Sequence, residues 1–196
     1  GSLVCVENTS QGGGGTAYPL ERLDAICKVA REKNCKLHLD GARLFNAAAA
    51  SNASPARIVR DFDTVSICLS KGLGAPVGSV LVGSKETLAE AHRWRKMFGG
   101  GMRQSGVIAA AGLYALENNV DRLHDDHKRA RRLAEAVNEI DGLSVNLDAV
   151  QSNIVFIGIE KGKTQEVIGA LSKQGVEILG IDDSTVRAVF HLHITD

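Results

Sequence analysis

Lys71 is the residue of this sequence whose surroundings are most typical of a reactive amine. It lies just after an apolar run that is typical of a β-strand, Val65 to Leu69, and just before a stretch rich in small residues, Gly72 to Gly78. Small residues allow another group to approach the backbone closely. A lysine amine is a good Schiff-base nucleophile when it is desolvated or lies near other cations. The pattern indicates a candidate catalytic lysine, with a solvated surface lysine as the alternative.

A carboxylate and a guanidinium follow a second apolar run, Lys36 to Leu39, where Asp40 and Arg43 belong to the segment Asp-Gly-Ala-Arg. Asp40 has two interpretations. It is a turn carboxylate that bonds local amides, or it keeps a pyridine nitrogen protonated, as pyridoxal 5′-phosphate (PLP) requires when its ring acts as an electron sink. The guanidinium of Arg43 fits a carboxylate or a phosphate, with a surface ion pair as its alternative.

Short apolar runs alternate with amphipathic segments through the first half of the chain. The alternation predicts an α/β architecture with a largely parallel sheet. In such sheets ligands gather at the carboxyl ends of the strands, so Asp40 and Lys71 are expected to meet in one crevice. The predicted strands are Leu3 to Val6, Lys36 to Leu39, Thr64 to Leu69 and Ser79 to Val82; the predicted helices are Pro19 to Lys33, Lys85 to Phe98, Ser105 to Glu117 and Asp121 to Glu139.

The pattern changes after the long helix, and residues 128–196 are predicted to form a smaller α+β domain behind a large domain of residues 1–127. Its predicted strands are Leu143 to Leu147, Asn153 to Ile159, Val176 to Leu179 and Val186 to Leu192, with one helix at Lys163 to Lys173. The four glycines Gly12 to Gly15 are interpreted as a flexible connection.

Composition excludes several classes of protein. The 196 residues are 44% hydrophobic and carry 23 basic and 23 acidic side chains, which is typical of a folded domain without a net field for nucleic acid or an anionic membrane. No apolar run approaches the roughly 20 residues that span a bilayer, so a soluble, cytoplasmic protein is expected. The four cysteines lack a Cys-x-x-Cys spacing. His191 and His193 lack a third ligand, and no metal site is predicted.

Three segments resemble the signature regions of the threonine aldolases, which are PLP-dependent enzymes of the aspartate aminotransferase-like fold type I. Two shorter segments also resemble the family in the right order, so the resemblance spans essentially the whole chain. The three long segments are His38 to Ala47 (HLDGARLFNA), Ser66 to Gly83 (SICLSKGLGAPVGSVLVG) and Arg93 to Gly106 (RWRKMFGGGMRQSG); the short ones are Glu7 to Thr9 and Arg187 to Leu192.

The resemblance implies a role for each candidate residue. Lys71 would carry PLP as a Schiff base, and Asp40 would pair with the pyridine nitrogen. Arg43 and Arg187 match positions that hold the substrate carboxylate, and Arg103 matches a contact to the cofactor phosphate, offered to a neighbouring subunit. The implied reaction is retro-aldol cleavage of L-threonine or L-allo-threonine to glycine and acetaldehyde by a homodimer or homotetramer.

The resemblance also has gaps and leaves alternatives open. The family's phosphate-binding glycine loop and the histidine that stacks on the PLP ring have no match in these residues, and neither does its last helix after Asp196. Lys96 and Asn8 match positions near the site. Lys71 and Asp40 alone do not select which bond breaks, so an aminotransferase or a β-eliminating lyase remains an alternative. A non-catalytic oligomeric fragment is the other.

Overall fold

The computed structural model describes residues 1–196, and its first sheet contains four strands in the order β1-β2-β3-β4. The first three are parallel and β4 runs antiparallel to β3. Val6 lies beside Leu39, and Leu39 beside Val65, so the three parallel strands end at one edge. The predicted α/β architecture with a mostly parallel sheet is confirmed. The strands are β1 (Leu3–Glu7), β2 (Lys36–Asp40), β3 (Thr64–Cys68) and β4 (Ser79–Gly83).

Three helices connect the parallel strands along the chain. Helix α1 (Leu20–Glu32) follows β1, and helices α2 (Leu44–Ser51) and α3 (Pro55–Val59) follow β2. Helix α1 begins after Pro19, whose fixed φ suits a helix start, and buries Leu23, Cys27 and Ala30 on one face. The small side chains of α2 allow it to pack close to the sheet, where Ala47 is fully buried. Helices α2 and α3 were not predicted from the sequence.

Two further helices follow β4 and are largely exposed: α4 (Lys85–Met97), which buries no residue, and α5 (Gly106–Asn118), which buries Gly112 and Ala115. Helix α6 (Leu123–Asn138) then leads into the rest of the chain. None of the helices is both long and apolar enough to cross a membrane.

The second sheet has three antiparallel strands in the order β5-β7-β6, with α7 (Thr164–Ser172) between β5 and β6 in the chain. The strands are β5 (Ile154–Gly158), β6 (Leu179–Gly180) and β7 (Thr185–Val189). The predicted strand at Leu143 to Leu147 was wrong. Only one bridge, from Ser144 to Gly158, forms there, because the chain turns into a short 3-10 helix at Leu147–Ala149.

Helix α6 packs on both parts of the molecule. Its first residue, Leu123, belongs to a buried cluster with Leu73 and Ala115, whereas Ala130 and Ala134 pack against the second sheet. The predicted domain boundary after residue 127 falls inside this helix. It stays a prediction.

The glycine loop is not a flexible connection, contrary to our expectation. Gly14 and Gly15 have positive φ angles of 90° and 83°, which glycine adopts without strain. The hydroxyl of Ser152 donates to the carbonyl of Gly15 over 2.6 Å, and a Cβ at Gly15 would lie 2.7 Å from that hydroxyl oxygen. The loop therefore docks the first sheet against the segment that precedes β5.

Candidate functional site

The carboxyl edge of the first sheet carries the candidate acid. Asp40 ends β2 and is exposed, and its Oδ1 accepts a hydrogen bond from the backbone N–H of Ala42 over 3.0 Å. The N–H of Gly41 donates to the carbonyl of Ser66 over 2.8 Å, and a Cβ at Gly41 would lie 2.9 Å from that oxygen. Glycine is needed at this position because the chain passes so close to β3. Both interpretations of Asp40 therefore remain compatible with its position, since only Oδ1 is engaged.

Lys71 lines a cavity of about 370 Å³ between the two sheets. One wall is the loop after β3, from Ser70 to Pro76, and the other is formed by Arg43, Asn153 and the chain from Val189 to His193. Ligand sites usually have volumes of about 300–1,000 Å³, so the cavity can hold a small molecule. Lys71 is exposed in this structure, and the desolvation expected for a reactive lysine is not provided by these residues alone.

The loop that carries Lys71 is held by the end of α5 and the start of α6. Arg122 Nη1 donates to the carbonyl of Gly72 over 3.1 Å, and Asn119 Nδ2 donates to that of Leu73 over 2.7 Å. Arg122 also forms an ion pair with Asp126, which is completely buried. Burial raises the pKa of Asp126, and the hydrogen bond from Arg122 opposes that effect. These supports could not be predicted from the sequence, because Arg122 and Asp126 resemble the charges of an ordinary solvated helix and Asn119 resembles a surface residue.

Arg43 lines the cavity, and Arg187 lies close enough to Arg43 for the two positive charges to repel each other. Burial lowers the pKa of Arg43, and the positive charge of Arg187 lowers it further. The Nε atom of each guanidinium is buried and has no hydrogen-bond partner within the chain. Unsatisfied buried donors are costly, and two adjacent cations repel each other. Both costs are relieved when an anion binds between them, so the pair is suited to a carboxylate.

Arg103 is not brought to this cavity. It lies in the exposed loop between α4 and α5 and lines no part of the wall around Lys71. Lys96 is also exposed and lies against the same loop, near Gly101. Asn8 is buried, and its Oδ1 accepts the N–H of Tyr18 over 3.2 Å. The structure therefore places Lys71 and Arg43 on one cavity, with Arg187 close to Arg43. Asp40, Arg103 and Lys96 do not line that cavity, so the expected meeting of Asp40 and Lys71 in one crevice stays a prediction.

A buried polar network lies behind the cavity. His127 Nε2 pairs with Asn46 Nδ2 over 3.0 Å, and the same amide nitrogen lies 3.5 Å from Asn153 Oδ1. Burial lowers the pKa of His127 to about 4, with a smaller effect from His124. A neutral imidazole accepts the amide N–H at Nε2, so the network ties α2 to α6 and β5. Sequence gave no signal for it, since its members are about 80 and 107 residues apart.

Solved structures of known enzymes define the class of this fold. A Leishmania major threonine aldolase matches with a TM-score of 0.76 and 21% identity, over 99% of this chain and 57% of that one. A PLP-dependent aminotransferase from Streptococcus suis matches with a TM-score of 0.72 and 16% identity, over 96% of this chain and 52% of that one. The fold is that of the PLP-dependent, fold type I enzymes.

The family follows from the sequence comparisons. The family model for beta-eliminating lyases matches residues 1–160, and the chain belongs to this family. It is 47% identical to the probable low-specificity L-threonine aldolase 2 of Arabidopsis thaliana, over 99% of this chain and 56% of the relative. It is 42% identical to the low specificity L-threonine aldolase of Escherichia coli K12, over 98% of this chain and 56% of the relative. The chain thus spans about half the length of these curated relatives.

Proposed function

We propose that this chain carries part of the active site of a PLP-dependent carbon–carbon lyase, which cleaves L-threonine or L-allo-threonine to glycine and acetaldehyde. The names of the curated relatives support this reaction. The observation that carries it is the meeting of an accessible lysine amine with an arginine pair around one cavity. Lys71 and Arg43 line that cavity, and Arg187 lies beside Arg43.

The residues present fit PLP and an amino-acid substrate. The Nε atoms of Arg43 and Arg187 are donors without acceptors, which suits the substrate carboxylate. Asp40 has one carboxylate oxygen engaged by Ala42 and a second that a protonated ring nitrogen can use. When bound, PLP supplies an electron sink for the carbanion that forms as the Cα–Cβ bond breaks.

Each residue then has a separate task. The amine of Lys71 holds the cofactor, and Asp40 keeps the proton on the ring nitrogen. Arg43 and Arg187 bind the substrate carboxylate. This contact fixes the direction of the Cα–Cβ bond and so selects the bond that is cleaved. Arg122 and Asn119 hold the loop that presents Lys71.

Assembly and location are part of the same proposal. Arg103 would contact the cofactor phosphate of a neighbouring subunit in a homodimer or homotetramer, because it is exposed and does not line the cavity of its own chain. The exposed apolar side chains at the end of α4 and just after it, Trp94, Met97 and Phe98, support association. We place the enzyme in the cytoplasm, where it would consume threonine and form glycine.

The test combines cofactor trapping with product analysis. The chain is titrated with PLP, reduced with borohydride and digested, and the modified peptide is identified by mass spectrometry. We expect the label on Lys71 and its loss in Lys71→Ala, whereas Lys85→Ala, which removes an exposed lysine at the start of α4, keeps it. Incubation with L-threonine should release acetaldehyde and glycine. Labelling of many lysines at once, or formation of a 2-oxo acid in place of acetaldehyde, would refute the proposal.

A further inference from the structure

Asn46 is a buried amide that contacts several walls of the Lys71 cavity. It belongs to the first turn of α2, three residues after Arg43, and is 2% exposed. A Cβ on Gly72, the residue after Lys71, would lie 3.2 Å from Asn46 Oδ1. Asn46 Nδ2 lies 3.5 Å from Oδ1 of Asn153, which lines the cavity. One side chain therefore lies against both the loop of Lys71 and the segment before β5.

The end of β7 fixes the orientation of these amides. Asn153 Nδ2 donates to the carbonyl of Phe190 over 2.7 Å, and the N–H of Phe190 donates to the carbonyl of Asn153 over 2.9 Å. Because a carbonyl only accepts, Asn153 turns its Nδ2 to Phe190 and its Oδ1 to Asn46. Asn46 must then present Nδ2, whose second N–H is accepted by His127 Nε2 over 3.0 Å. We call His127, Asn46 and Asn153 the amide relay.

The amide relay joins the two elements that carry the arginine pair. Arg43 immediately precedes α2, and the N–H of Ala47 donates to its carbonyl over 3.0 Å, so its backbone is tied to the helix that contains Asn46. Arg187 lies on β7, which pairs with β5, and Asn153 directly precedes β5. The charge of Arg187 opposes that of Arg43. The amide relay therefore restrains two elements that like charges push apart.

We propose that Asn46 is a positioning residue that holds Arg43 and Arg187 at the spacing at which they bind one carboxylate together. Two guanidinium groups share a carboxylate only when both lie within hydrogen-bond reach of its oxygens, and a displacement of about 1 Å is costly. Asn46 acts through Asn153 and through its own helix. The inference deepens the proposed function, on which it rests for the role of the arginine pair.

The test follows the two arginine side chains by NMR, with acetate as the probe because acetate is the carboxylate alone. The Nε–H signals of Arg43 and Arg187 are assigned from Arg43→Lys and Arg187→Lys and are followed during an acetate titration without PLP. In the unsubstituted chain both signals should shift with one shared midpoint. Asn46→Leu, which has a similar volume but no amide, should weaken acetate binding roughly tenfold and separate the two midpoints.

Two substitutions of His127 decide the question if circular dichroism shows that Asn46→Leu does not fold. His127→Leu removes the acceptor that orients Asn46 and should weaken acetate binding roughly threefold, the scale of one neutral hydrogen bond. His127→Gln offers an oxygen in its place and should retain the shared midpoint. Ile58→Val is the control for a general loss of packing, because Ile58 is buried in the apolar core of the first sheet. It should change neither midpoint.

The remaining outcomes are distinguishable. If Asn46→Leu folds and binds acetate as the unsubstituted chain does, Asn46 does not set the spacing and the inference fails. Where the His127 variants decide, equal effects of Leu and Gln have the same meaning, and so does a separation of the midpoints in Ile58→Val. The inference also fails if acetate shifts neither arginine in the unsubstituted chain. Absence of borohydride labelling at Lys71 would instead refute the proposed function and leave the acetate result standing.

Discussion

The half of the first sheet formed by β1 and β2, here called the β2 end, is packed more completely than the half formed by β3 and β4, the β4 end. Leu39 on β2 is 0% exposed, whereas Leu81 on β4 is 40% exposed. The two strands belong to the same sheet and are separated only by β3. The helices show the same contrast, since α1 buries Leu23, Cys27 and Ala30 and α4 buries no residue. Both helices are amphipathic, so the difference lies in what covers them. The β2 end is covered within this chain, and the β4 end is not.

The difference also separates the candidate site residues. Lys71 and Arg43 line the cavity between the packed parts of the molecule, and Arg187 lies close to Arg43, whereas Arg103 follows α4 on the open side. The loop that carries Lys71 is held within this chain by Arg122 and Asn119. Arg103 lies in an exposed loop, so its proposed role depends on another surface. The open side also exposes the apolar side chains of Trp94, Met97 and Phe98, and exposed apolar patches often mark interaction sites.

The largest effect is expected when one leucine is truncated at each end of the sheet, which tests the difference in packing directly. Leu39→Ala creates a cavity in the core of the packed end, and we expect it to cost about 2–5 kcal/mol of unfolding free energy. Leu81→Ala removes a side chain that water already reaches, and we expect a loss of less than about 1 kcal/mol. Urea unfolding followed by circular dichroism measures both values. Equal losses would show that the β4 end is as well packed in solution as the β2 end.

Sequence patterns predicted the packed end well because local features decide it. The run before Asp40 and the run before Lys71 are strands that end at one edge, as predicted. Helix α2 was missed because Ala47 and its small neighbours pack closely against the sheet without a strong apolar pattern. The Leu143 to Leu147 segment was wrongly predicted as a strand because its alternation is outweighed by the 3-10 turn.

The candidate site was predicted only in part, for a related reason. Lys71 and Arg43 could be found because a strand end and a family motif mark them. Asn46, His127 and Asp126 could not be found, because their roles depend on partners distant in the chain or on complete burial. A charge on an amphipathic helix looks the same in sequence whether it is solvated or buried.

The polar network at the packed side gives a second prediction, through pH. The folded-state pKa of His127 is about 4, below the ordinary value of about 6.5 for an unfolded histidine. Between these values the unfolded chain binds the extra proton, so stability falls as pH falls. We expect His127 to account for a loss of about 2 kcal/mol between about pH 7 and pH 5. Urea unfolding at both pH values measures it.

The matched variant for this prediction is His127→Gln, which can still accept from Asn46 but does not titrate. Carboxylates such as Asp24 and Asp63, whose pKa values are lowered by Arg57 and Arg31, also titrate toward low pH and are unchanged by the substitution. The difference between the two proteins therefore isolates His127. A pH dependence of the same size in both would show that this imidazole is not buried in solution.

The smallest effect on stability is expected on the open side. Arg103→Ala should change the unfolding free energy by less than about 0.5 kcal/mol, because the side chain is exposed and surface substitutions have small effects. It should nevertheless weaken PLP binding roughly tenfold or more, the scale of a charged hydrogen bond. Arg93→Ala, which removes an exposed arginine of α4, should leave both quantities unchanged. PLP titration followed by absorbance measures the affinity.

A mixture of two variants decides which subunit Arg103 serves. Lys71→Ala subunits retain Arg103, and Arg103→Ala subunits retain Lys71, so a mixed oligomer contains complete sites only if Arg103 reaches across to a neighbour. At a PLP concentration that loads neither variant at Lys71, the mixture should become labelled at Lys71 after borohydride reduction. If mixing restores no labelling while the single Arg103 variant still loses affinity, Arg103 acts within its own chain. The loop that carries Arg103 would then have to move to the Lys71 cavity of the same chain when PLP binds.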